Sequence, residues 1–113
     1  SLSHLLLSQE MDSNILFISA RPATQAFYDV TTRWLRAQQF KKFRLALGVD
    51  GIQRVEMCRR YQPDAFYDDI DIHVKDVYRT CPFTSAVLVP RPWNSKQQPW
   101  AGGDAVLRFD ASR

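Results

Sequence analysis

Short apolar runs alternate along the chain with stretches in which apolar residues recur at helical spacing. The runs are continuous and rich in β-branched and aromatic residues, which is typical of strands buried on both faces of a parallel sheet; they lie at 15–18, 43–47, 64–67 and 85–89. The helical spacing covers about 22–39, 52–61 and 72–78. Strands that alternate with helices of this length predict βαβ units, and therefore an α/β fold with a parallel sheet and helices on both faces.

The first of these helices has the clearest periodicity. Phe27, Val30, Thr31 and Trp34 follow the i, i+3, i+4, i+7 spacing of one helical stripe. This spacing predicts that the stripe faces the core and that Phe27 and Trp34 are core residues. A further short amphipathic helix is predicted over residues 3–11, ahead of the first strand.

The C-terminal part of the chain has a different composition. Residues 90–104 are rich in Pro, Trp, Gln and Gly, which favours a long ordered loop on the surface. Residues 105–109 are again apolar and predict a last strand at an edge of the sheet. We therefore expect an α/β domain over 1–94, followed over 95–113 by a surface loop and this edge strand.

Composition narrows the class of protein only modestly. The chain has 113 residues, of which 45% are hydrophobic, enough for one small core. Its formal net charge of +3 is compatible with phosphate-bearing partners, although no dense basic cluster marks a nucleic-acid-binding module. Without an apolar run long enough to span a bilayer, we expect a soluble intracellular protein with no membrane partner. Cys58 and Cys81 lack metal-site spacing and are expected to be reduced, structural thiols.

Polar residues follow the predicted strands where a ligand would bind. In an open parallel sheet, ligands bind beyond the carboxyl ends of the strands, where the N-termini of the following helices also point. Ser19 and Arg21 come after the first strand, and Asp68 and Asp69 end the third. Taken singly, each has a simpler structural reading: the serine as a helix cap, the acids as partners of a helix dipole, and the arginine as their ion-pair partner.

Three segments together resemble signatures of the haloacid dehalogenase-like (HAD) phosphatases. Residues 17–22, followed by Thr-x-x-Trp-Leu at 31–35, resemble the second signature, in the form found in deoxyribonucleotidases and in the phosphatase domains of polynucleotide kinases. Residues 62–70 resemble the fourth signature, a strand that ends in two acids, and residues 87–94 are similar to a strand and turn of the nucleotidase branch. The resemblance extends from residue 15 to residue 94.

The resemblance implies a Rossmann-like fold and a Mg²⁺-dependent phosphomonoester hydrolase acting on a nucleotide or a polynucleotide end. Ser19 would be catalytic and bind a phosphoryl oxygen, and Arg21 would bind the substrate phosphate. Asp68 and Asp69 would ligate Mg²⁺. The family's third signature is a lysine for which this sequence has no clear match; Arg54 lies nearest and is the second candidate catalytic residue.

The resemblance also implies that one strand is missing. Family members begin with a strand ending in Asp-x-Asp, whose first acid attacks phosphorus, and nothing ahead of Ser19 is similar to it. In the family that strand lies between those ending at Ser19 and at Asp68, so the sheet is expected to be incomplete, with two unpaired inner edges. A complementary N-terminal segment, a partner protein or the chain's own C-terminus could fill the gap. The last contains an apolar run that ends in Asp-x-Ser at 110–112.

Two functional hypotheses remain open at this point. One is the C-terminal half of a phosphatase, inactive unless a segment carrying the nucleophile complements it. The other is a non-catalytic descendant that serves as a scaffold or interaction subunit, for instance in an RNA-containing assembly such as a mitochondrial ribosome, which would place the protein in mitochondria.

Overall fold

The computed structural model describes residues 14–89 and 104–110, which form five strands and three helices. The strands are β1 (Ile15–Ser19), β2 (Arg44–Leu47), β3 (Ala65–Asp68), β4 (Ser85–Leu88) and β5 (Asp104–Arg108). The helices are α1 (Gln25–Ala37), α2 (Gly51–Tyr61) and α3 (Asp71–Thr80). The helix predicted over 3–11 and nearly all of the loop predicted over 90–104 lie outside the described residues.

All five strands belong to one sheet in the order β2-β1-β5-β3-β4. β1 pairs with β2 and β3 pairs with β4 in parallel, as the alternation of strands and helices predicts. β5 lies between β1 and β3 and is antiparallel to both. The fold is therefore α/β with a mixed, mostly parallel sheet, consistent with a Rossmann-like class.

The position of β5 corrects two predictions about the sheet. The last strand was expected at an edge, but it is the central strand, and the sheet expected to be incomplete is continuous. The chain's own C-terminal segment fills the gap between β1 and β3. β5 suits an interior position because its side chains are buried on both faces: Ala105 and Leu107 pack into one core, and Val106 packs against the other.

The antiparallel direction of β5 determines which of its ends meets the predicted site. Ser19 pairs with Asp104 and Asp68 pairs with Ala105, so the start of β5 lies at the carboxyl edge of β1 and β3. Asp110, just after β5, lies at the opposite edge, where its backbone N–H donates to Asp64 at 2.7 Å. Asp110, the first residue of the Asp-x-Ser, is thus at the wrong end of the sheet to replace the first acid of the missing signature.

Helices cover both faces of the sheet, as predicted. α1 packs on one face through Leu35 and helps to bury Phe17 of β1, whereas α2 and α3 pack on the other through Met57 and Val77. Local signals determine where the helices begin. Thr24 caps α1, and a capping box stabilises the start of α2. In this box the side chain of Asp50 accepts a hydrogen bond from the backbone N–H of Gln53, and the side chain of Gln53 accepts one from the backbone N–H of Asp50.

The stripe predicted for α1 is only partly correct. Thr31 and Leu35 are buried and Trp34 is half-buried, but Phe27 and Val30 are each 39% exposed. The buried face is rotated toward Leu35 because α1 packs over β1 and β2 through that side chain. The spacing predicted the helix correctly, but the prediction of which side of the helix faces the sheet was partly wrong.

Candidate functional site

The predicted site residues lie at one edge of the sheet, on or beside neighbouring strands. Ser19 ends β1 and faces Asp104 across the strand pair, and Asp68 ends β3 and faces Ala105. Because adjacent strands lie about 4.8 Å apart, the backbones of Ser19 and Asp68 are separated by roughly 10 Å, with β5 between them. The structure therefore brings these strand ends to one edge, as the sequence predicts.

Their side chains, however, point to opposite faces of the sheet. Alternation along β1 places Ser19 on the same face as Phe17, in the core beneath α1. Alternation along β3 places Asp68 on the same face as Phe66, in the core beneath α2 and α3. Ser19 and Asp68 thus do not converge on a common crevice, which the phosphatase reading requires.

Asp68 is the centre of a buried cluster of charged and polar groups. Its Oδ2 accepts from Nη1 of Arg54 at 3.1 Å and lies 2.9 Å from Nδ1 of His73, and its Oδ1 accepts from the backbone N–H of Ile70 at 3.0 Å. The side chain of Asp68 is 0% exposed and that of Arg54 is 2% exposed. Arg54 also donates through Nε to the carbonyl of Val49 at 3.3 Å.

A glycine makes room for the histidine of this cluster. A Cβ added at Gly51, the first residue of α2, would lie 2.2 Å from Nε2 of His73. The ring therefore occupies space that any other residue at position 51 would fill. His73 was not predicted from the sequence as a site residue, although the five-residue spacing between Asp68 and His73 across the start of α3 was an available signal.

The geometry around Asp68 does not fit a Mg²⁺ ligand. Mg²⁺ needs carboxylate oxygens that can approach to about 2.1 Å within an octahedron that usually includes several waters. Both oxygens of Asp68 already accept hydrogen bonds inside the protein, and the carboxylate has no exposed surface. Asp69, the other predicted ligand, is half-buried. In the parts of the chain that the structure describes, no group of three or more His, Cys, Asp or Glu side chains could hold a metal.

Arg21 belongs to a second buried cluster, on the α1 face. Its guanidinium donates to the hydroxyl of Thr31 and lies 3.4 Å from Oδ2 of Asp104, and both charged side chains are 7% exposed. Burial lowers the pKa of Arg21 to about 10, and the charge of Asp104 partly opposes this effect. Arg21 thus pairs with an acid, but the acid is Asp104 and not Asp68 or Asp69, the partners that the simpler reading of this residue expected.

Ser19 adjoins this cluster. Its hydroxyl accepts from the backbone N–H of Arg21 at 3.2 Å, and the residue is fully buried. Ser19 does not cap α1, since that role belongs to Thr24. Asp104 was missed in the sequence because an acid at the start of the final apolar run gives no local sign that its strand is central.

The two cysteines have the state that the sequence predicts. Cys58 and Cys81 are free and buried, as expected of structural thiols. Burial raises the pKa of the Cys58 thiol well above its ordinary value, so it stays protonated near neutral pH.

No helix within 14–89 or 104–110 is long and apolar enough to cross a membrane.

Comparison with known protein families, with curated proteins and with solved structures finds no match to this chain. Its class therefore rests on its own geometry: an α/β domain with a mixed sheet and two buried ionic clusters at one edge.

Proposed function

We propose that this chain is a non-catalytic HAD-like domain that acts as a scaffold or interaction subunit. The enclosure of Asp68 carries this proposal. The residue that the resemblance assigns to Mg²⁺ is held by Arg54, His73 and a backbone amide, with no exposed carboxylate surface. A carboxylate bonded in this way joins β3 to α2 and α3, which is a structural role.

The other candidate catalytic groups support the same proposal. Ser19 is fully buried, and Arg21 is directed at Asp104 and Thr31. Arg54, the candidate for the lysine position, is 1% exposed and neutralises Asp68. A phosphate ester would have to displace these internal partners before it could reach any of the groups.

β5 adds a further argument against complementation. It pairs along its whole length with β1 on one side and along four residues with β3 on the other. A complementary strand carrying a nucleophile would have to displace β5 and break both ladders. We therefore expect partners to bind the outside of the domain; a large RNA-containing assembly, in mitochondria or elsewhere, remains the candidate for the mildly basic chain.

A Mg²⁺-dependent phosphatase is the second candidate, and one observation favours it. Asp104, the first residue of the central strand, places a carboxylate at the carboxyl edge of β1 and β3, directly beside Ser19. In the family that the sequence resembles, the attacking acid belongs to the central strand. Asp104 would be the nucleophile in this case, although it comes from the start of an antiparallel strand.

One experiment separates the two candidates. Phosphate release from p-nitrophenyl phosphate, a 5′-nucleotide and a 3′-phosphorylated oligonucleotide is measured with and without Mg²⁺, and Mg²⁺ binding is measured by calorimetry. The scaffold proposal expects no release above buffer and no saturable Mg²⁺ binding. Mg²⁺-dependent turnover that disappears in Asp104→Asn, while Asp71→Asn on the exposed start of α3 retains it, would establish the phosphatase instead.

A further inference from the structure

β4 is an edge strand, and in the part of the chain that the structure describes it pairs with β3 alone. The backbone N–H groups of Ser85 and Val89 donate inward to carbonyl groups of the β3 segment, at 2.9 and 2.8 Å. Backbone groups alternate in direction along a strand, so Ala86 and Leu88 direct their N–H and C=O groups outward. The outer side of β4 thus presents two donors and two acceptors to another strand.

The side chains of this edge are apolar and exposed on both faces of the sheet. Ala86 packs against the core beneath α2 and α3, and alternation along the strand directs Val87 to the opposite face. Val87, Leu88 and Val89 are 37%, 47% and 38% exposed. An exposed apolar edge strand is a template for pairing with another chain.

The two edges of the described sheet differ in how they are protected. Proteins usually protect an edge with charged side chains, with proline or by covering it. Residues 85–89 read Ser-Ala-Val-Leu-Val, without a charge, and Pro90 comes only after them. At the other edge, β2 begins with Arg44 and follows Lys41 and Lys42, and its three remaining side chains are fully buried. The β4 edge is therefore the unprotected one.

We propose that β4 pairs with β4 of a second copy of this chain, antiparallel and centred on Val87, so that one sheet continues through both copies. In this register Ala86 faces Leu88 of the other copy, and each outward N–H meets a C=O. Val87 faces its own equivalent on the other side of a two-fold axis, so the side-chain pairs are all apolar. The pairing is independent of the proposed function, since a scaffold subunit and a phosphatase could both form this dimer.

Self-complementarity identifies the partner and the register. The run carries no charge that would select a partner of opposite charge, and its two outward residues lie symmetrically about Val87. Centring the pair on Ala86 would place Leu88 opposite Thr84, whose N–H already donates to the Cys81 carbonyl at 3.1 Å. Centring it on Leu88 would place Ala86 opposite Pro90, which has no N–H. Only the register centred on Val87 satisfies the outward groups of both copies.

Sedimentation equilibrium of the purified chain over roughly 5–500 µM tests the proposal, because small interfaces dissociate in that range. The chain should show a reversible monomer–dimer equilibrium. Val87→Lys places two ammonium groups across the two-fold axis and should weaken the dimer at least about tenfold. Ile52→Lys, at an apolar residue of α2 that is 76% exposed, should leave it unchanged. An equimolar mixture of Val87→Lys and Val87→Glu should dimerise again, because opposite charges then face each other.

Three results would overturn the proposal: a chain that stays monomeric throughout, a dimer that Val87→Lys leaves intact, or a mixture of the two charged variants that stays monomeric. If Val87→Lys proves unfolded by circular dichroism, Val87→Cys decides. Directly opposed residues of this kind have Cα atoms about 4.5 Å apart, within the reach of a disulfide. Air oxidation should therefore link Val87→Cys into a covalent dimer but leave Ile52→Cys monomeric. A monomeric Val87→Cys after oxidation would equally overturn the proposal.

Discussion

The substitution Asp68→Asn tests whether the buried cluster is structural. Asparagine keeps the shape of the side chain but removes the negative charge and replaces one acceptor oxygen with a donor group. The guanidinium of Arg54, 2% exposed, would then be a buried charge without its counter-ion, and the amide could not accept all the bonds that the carboxylate takes from Arg54, His73 and Ile70. Removing one partner of a buried ion pair typically costs about 3–5 kcal/mol.

A loss of that size is a large part of the stability of a domain of this length, which is of order 5–15 kcal/mol. Urea denaturation followed by circular dichroism measures it. Asp69→Asn makes the same chemical change at the neighbouring, half-buried position and should cost less than about 1 kcal/mol. The contrast between positions 68 and 69 therefore isolates the effect of the buried pair.

A double substitution sharpens the test. If the pair is only structural, Arg54→Met combined with Asp68→Leu removes both charges and should be less destabilising than Asp68→Asn alone, since apolar replacements of a buried ion pair are often tolerated. The reasoning is refuted if Asp68→Asn and Asp69→Asn cost the same, or if Asp68→Asn costs less than about 1 kcal/mol.

Three further predictions follow from buried groups. Leu107→Ala at the centre of β5 should lower the free energy of unfolding by about 2–5 kcal/mol, because Leu107 is fully buried between β1 and β3; a cost like that of Arg108→Ala would show that β5 is not central. Gly51→Ala should destabilise by about 1–3 kcal/mol in urea denaturation, because the new methyl group collides with His73; unchanged stability would contradict this packing. Cys58 should contribute a fall in stability above its ordinary pKa of 9.0, because only unfolding frees the thiol to ionise, and Cys58→Ala should show less of this fall between about pH 9 and pH 11.

The sequence predicted most of the elements because their signals are local. Continuous apolar runs identified β1 to β4, and helical spacing identified the three described helices, with ends that differ from the structure by at most about three residues. Gly51 and the capping box of Asp50 and Gln53 explain why α2 begins where it does. Such signals operate within a few residues, so they can be recognised without knowledge of the fold.

The candidate site was predictable only as a set of strand ends. The order of the elements placed Ser19 and Asp68 at the same edge of the sheet, but not on the same face. The face of each side chain depends on the position of its strand relative to the packed helices, and a shift of one residue reverses it. The ion-pair partners could not be predicted from local sequence either, because Arg54 is 14 residues from Asp68 and Arg21 is 83 residues from Asp104.

By itself, the amino-acid pattern determined an α/β domain with helices on both faces and acids at the strand ends. Tertiary structure alone decided that the last apolar run becomes the central strand, that it runs antiparallel, and that its first residue, Asp104, rather than its last, meets Ser19. The physical reason is that a strand's residues specify that it will pair and bury its side chains, while its place and direction depend on which backbone edges the rest of the chain leaves to be filled.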